Sequence, residues 1–79
     1  MAALGPVRRR LLVKVLELNG FAQVPGRGKG SHSWFSRPDD PELHTTVPEH
    51  DLIGTDLLQR ILRQAGKSRQ EYLDRLREV

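Results

Sequence analysis

The stretch GRGKGSHSWF, Gly26 to Phe35, gathers the side chains best suited to chemistry in this chain. Glycines at 26, 28 and 30 let a backbone come close to a phosphate and offer it N–H donors. Arg27 and Lys29 put positive charge at the same place. His32 follows, and a histidine, titrating at about 6.5, takes or gives a proton near neutral pH. Trp34 offers a ring on which an unpaired base can stack. An RNA ligand would bring its own nucleophile, the 2′-hydroxyl. An enzyme then has only to deprotonate that group, stabilise the phosphorane charge and protonate the leaving oxygen. One histidine among cations does part of this, about 10²–10⁴-fold for the proton transfer, with more from fixed charge. Arg27, Gly28, Lys29, Gly30, Ser31 and Trp34 are therefore the expected phosphate and RNA contacts, and His32 the expected catalyst.

Each of these residues also has a plain structural use. Histidines at strand starts are more often structural than catalytic, glycine-rich turns are often only turns, and tryptophans usually pack against a helix or a partner. His44 falls in a hairpin and His50 follows Pro48-Glu49. Neither stands at tight ligand spacing, so no metal site is expected. The chain has no cysteine, which excludes disulfides, thiolate metal sites and cysteine nucleophiles. It contains no P-loop and no nucleophile elbow. No cofactor is expected.

The elements that must hold these residues follow from apolar spacing. Pro6 suits a first helical position. Val7, Leu11, Val15 and Leu18, joined by Leu12 and Leu16, recur at helical spacing, with Arg9, Arg10, Lys14 and Glu17 opposite. Asn19-Gly20 stops that helix. FAQV, SHSWFS and HTTV read as three strands, the last two joined as a hairpin by a long, turn-rich connection, SRPDDPEL. Leu57, Leu58, Ile61, Leu62 and Ala65 form a second helix that ends at Gly66. Ser68 and Glu71 stand at capping-box spacing before Tyr72, Leu73 and Leu76 of a short third helix. The order α-β-β-β-α-α predicts an α+β fold, a three-stranded antiparallel sheet backed by helices on one face. Strand alternation puts His32, Trp34 and Ser36 on one face and Ser31, Ser33 and Phe35 on the other. With Phe35 in the core, His32 and Trp34 share the open face; a bulge near the glycines would reverse this.

Seventy-nine residues predict one domain, 1–79, with one small core. Net charge is +3 and the isoelectric point is about 10.0. The distribution matters more. Residues 1–37 hold seven bases against Glu17 alone, whereas residues 38–56 hold six acids and no base. A basic first half fits an anionic partner such as nucleic acid. No apolar stretch nears the roughly 20 residues of a membrane span. The opening MAALGPVRRRLLVKVL imitates a secretion signal, but Lys14 and Glu17 interrupt it and no cleavage site follows. No membrane partner is expected.

GKGSHSWF, with NGF upstream and TTVPEH and ILRQAG downstream, resembles the HicA (YcfA-like) toxins of prokaryotic toxin–antitoxin pairs. The resemblance runs from Val7 to Leu73 with its motifs in order. It implies a fold similar to a double-stranded-RNA-binding domain. It also implies a cytoplasmic, metal-independent endoribonuclease that cleaves mRNA without the ribosome and arrests growth. The family's Gly-Ser-His falls on Gly30, Ser31 and His32, with His32 catalytic. Its Val-Pro-x-His falls on Val47, Pro48 and His50, which makes His50 structural or accessory. The implied partners are mRNA and a HicB-like antitoxin. Two departures stand out: RPDDPEL is longer and more acidic than the family's tight hairpin, and Gly54-Thr55 sit about two residues early relative to Ile61-Leu62. A non-catalytic RNA-binding module on the same fold, or a protein-interaction module using the open sheet face, remain the alternatives.

Overall fold

Helical and alternating apolar patterns converge on one buried cluster. Leu12, Val15 and Leu16 meet Phe35 and Val47 from the strands, Leu58, Ile61 and Leu62 from the following helix, and Tyr72 from the last. The computed structural model describes residues 4–27 and 32–79. Its elements are β1 (Val7–Arg8), α1 (Arg9–Leu18), β2 (Ala22–Gln23), β3 (His32–Arg37), β4 (Asp40–Pro48), β5 (Leu52–Ile53), α2 (Thr55–Gln64) and α3 (Arg69–Leu76). β2, β3 and β4 form a three-stranded antiparallel sheet in that order. With the three helices, this is the α+β, double-stranded-RNA-binding-like arrangement read from the sequence. No described helix is long and apolar enough to cross a membrane.

The first helix starts later than Pro6. Val7–Arg8 is extended and pairs antiparallel with Leu52–Ile53, and the Arg9 N–H donates to the Asp51 carbonyl at 2.8 Å. Pairing buries Val7 against Ile53, both nearly inaccessible. A further helical turn would forgo that contact. The buried stripe of α1 is accordingly Leu12, Val15 and Leu16, while Leu18 is 46% exposed.

Both helix stops work as their glycines imply. Gly20 has φ +87° and Gly66 φ +70°. The Phe21 N–H reaches the Leu16 carbonyl (2.9 Å) and Gly20 that of Glu17 (3.0 Å); Lys67 and Gly66 reach Leu62 (2.9 Å) and Arg63 (3.1 Å) in the same way. These paired bonds close the last turns around a left-handed residue. α3 begins with the reciprocal capping box of Ser68 and Glu71. α2 begins at Gly54-Thr55 without a side-chain cap; Asp56 in its first turn complements the helix dipole.

The long connection between β3 and β4 is absent. Arg37 pairs with Asp40 around a Pro38-Asp39 turn, and Ser36 pairs with His44. Pro41, Glu42 and Leu43 therefore have no opposite residues and form a bulge in β4. A proline is tolerated there because no ladder bond is required of it. Leu43 turns inward to pack on the core. Arg37 closes the turn through Nε and Nη2 to the Asp39 carboxylate, at 3.1 and 2.9 Å.

Candidate functional site

β3 alternates as its residue types require. Ser33 is 4% and Phe35 1% exposed on the helix side, whereas His32 is exposed and Trp34 half-buried on the other. Cross-strand pairing sets Pro48 opposite His32, Thr46 opposite Trp34 and His44 opposite Ser36. The open face therefore carries His32 and Trp34 on one strand and His44 and Thr46 on the next. His50 is exposed two residues beyond Pro48, just past the end of β4. Gly28, Lys29, Gly30 and Ser31 lie outside the described residues.

Arg27 comes to this face from the other side of β3. The Val24 N–H donates to the Trp34 carbonyl at 2.8 Å, and the chain turns through Pro25 and Gly26, with Gly26 at φ +79°. The Arg27 guanidinium carbon then sits 4.5 Å from the centre of the Trp34 ring. His44 stacks on the same indole, 4.2 Å between ring centres and 10° between planes. Its Nδ1 lies 3.0 Å from the Glu42 carbonyl. A carbonyl only accepts, so Nδ1 carries the hydrogen of this bond. Alternation along HTTV puts His44 and Thr46 on one side of the strand, but which β3 residue His44 meets depends on the β3–β4 register, which spacing along the chain does not give.

Helical spacing alone puts Arg9 on the side of α1 opposite its apolar stripe. It instead reaches under the sheet. Its Nε donates to the Pro48 carbonyl and its Nη2 to the Ser33 hydroxyl, both at 3.0 Å. Ser33 follows His32 in the chain and Pro48 is its cross-strand partner, so Arg9 clamps the strand ends that carry His32. A hint was present in the sequence, since a serine next to Phe35's face needs a buried partner. Thr45 meets the same requirement through Gln64 at 2.8 Å.

The acidic segment is partly neutralised by the basic first half: Asp51 pairs with Arg8 and Asp39 with Arg37. Arg27 makes no ion pair among the described residues. No group of three or more His, Asp or Glu among those residues is arranged to hold a metal ion. A cleft of about 410 Å³ opens on the helix layer between Leu4, Gln59, Leu62, Arg63, Lys67 and Arg69, and does not include His32.

No curated protein matches the chain. Residues 9–67 match the family described as the HicA toxin of bacterial toxin–antitoxin systems. The matched span contains the whole three-stranded sheet, the Arg9 clamp and the histidines and aromatic stack of the open face. By that match over most of its length, the chain belongs to the HicA toxin family and is the toxin component of a toxin–antitoxin pair.

Proposed function

We propose that this toxin is an endoribonuclease that cleaves mRNA, with His32 exchanging the proton at the ribose-phosphate. The observation that carries the reading is an exposed histidine on the open sheet face, two residues from a tryptophan that holds an arginine over its ring. In the reaction the 2′-oxygen bonds to the adjacent phosphorus and the 5′-oxygen bond breaks. One proton leaves the 2′-oxygen and one is delivered to the 5′-oxygen, which yields a 2′,3′-cyclic phosphate and a 5′-hydroxyl. His32 performs one of these transfers, worth about 10²–10⁴-fold. Arg27, with Lys29 and the backbone of Gly28, Gly30 and Ser31, stabilises the charge that develops on phosphorus. His50 is accessory at the end of β4. The partner that restrains the toxin is a HicB-like antitoxin covering the open face, and the site of action is the cytoplasm.

The test is expression of the wild type and His32→Ala in separate cultures, with growth and total RNA integrity followed. Wild type should arrest growth and degrade RNA, and His32→Ala should do neither while remaining folded. Undiminished toxicity and RNA cleavage in the variant would refute the reading. RNA binding that is salt-sensitive but accompanied by no cleavage in either protein would favour a binding module instead.

A further inference from the structure

A tryptophan here offers a ring for a base, yet the π surface of Trp34 is already engaged by Arg27 and His44. Each of these neighbours is held from behind. Arg27 ends a turn in which its N–H donates to the Val24 carbonyl (3.3 Å), and Val24 is in turn bonded to the Trp34 carbonyl. His44 is oriented by the Glu42 carbonyl inside the β4 bulge. The Glu42 carbonyl, in the three-residue bulge that lengthens the hairpin, thereby fixes the orientation of the imidazole against the indole. His32 lies two residues from Trp34 on the same face, roughly 6.6–6.8 Å along the strand.

A guanidinium over the face of a ring is attracted by it, and the ring takes up none of its N–H donors' capacity to meet a phosphate. Holding it there in advance lowers the freedom lost when RNA binds. We infer that Trp34 and His44 are positioning residues, whose stacked rings hold the Arg27 guanidinium on the sheet face that carries His32, as a fixed phosphate contact. RNA then meets Arg27 rather than the indole. This rests on the nuclease reading for its ligand, but its test does not depend on cleavage.

The experiment uses the full chain carrying His32→Ala, so that a single-stranded RNA oligonucleotide survives, and measures affinity across a salt series. Arg27→Ala should reduce the slope of log affinity against log salt by about 0.7, the share of one single-strand phosphate contact. Trp34→Ala removes no charge, yet it should reduce the slope by a comparable amount. The double variant should lose no more than either single variant. His44→Ala should move the slope the same way and His44→Phe, which keeps a stacked ring, should restore it. Circular dichroism checks folding, and if Trp34→Ala unfolds, the two His44 variants carry the test. Weaker binding by Trp34→Ala at unchanged slope would place a base on the indole and overturn the inference. So would multiplicative losses in the double variant, or unchanged binding by Trp34→Ala. A parent that binds no RNA at any salt would overturn both readings, whereas a normal slope pattern beside a cleaving His32→Ala protein would overturn only the catalytic one.

Discussion

Replacing Arg9 by Met keeps the aliphatic stem of the side chain and removes its charged head. Two bonds are lost, to the Ser33 hydroxyl and the Pro48 carbonyl, each 3.0 Å long. Both acceptors belong to buried residues. Bonds to charged groups contribute roughly 1.5–3 kcal/mol each, and a buried group left without a partner costs about 1–3 kcal/mol. The two losses overlap because water reaches part of the vacated site, so the expected destabilisation is about 2–4 kcal/mol. Native domains hold only about 5–15 kcal/mol, and small ones lie toward the low end. Urea unfolding reads this directly: at a slope of about 1 kcal/mol per molar, the midpoint should fall by about 2 M or more. Ser33→Ala removes one of the two orphaned acceptors. In the Arg9→Met background it should therefore cost less than in the wild type, or nothing. A loss below about 0.5 kcal/mol for Arg9→Met, the ordinary range for surface changes, would refute the clamp. Strict additivity of the two substitutions would refute it too.

Gly66→Ala should cost about 1–2 kcal/mol, because φ is +70° there and a methyl would meet Leu43 only at ordinary contact distance; Gly5→Ala, with no neighbour within 4 Å, should be silent in the same thermal melt. The backbone N–H of Ser68, and then its side chain, hold the Glu71 carboxyl below its ordinary value of 4.5. A depressed carboxyl stabilises the fold above its unfolded value and loses that contribution as pH falls through the folded one. The stability advantage of wild type over Glu71→Gln should therefore be complete at neutral pH and vanish on acidification, measured by urea unfolding at each pH.

Local chemistry made much of this molecule legible in its residues. Asn19-Gly20 and Gly66 announce helix ends because a residue free to adopt positive φ lets its own N–H and the next one donate back to the last turn. Ser68 and Glu71 announce a helix start because each satisfies a backbone N–H of the other. Phe35 on β3 determines the facing of the strand, so His32 and Trp34 turn outward together. All of these depend on neighbours within about one turn or one strand, where spacing along the chain is spacing in space. What tertiary structure alone decided are pairings between distant segments. Val7–Arg8 is a strand because Leu52–Ile53 lies beside it. Arg9 turns under the sheet because Ser33 and Pro48 need a donor there. The three extra residues of the hairpin become a bulge because Leu43 finds the core, and the Glu42 carbonyl thereby comes to orient the His44 ring that stacks on Trp34. No local pattern encodes such contacts, since their energy comes from surfaces that meet only once the helices have packed on the sheet.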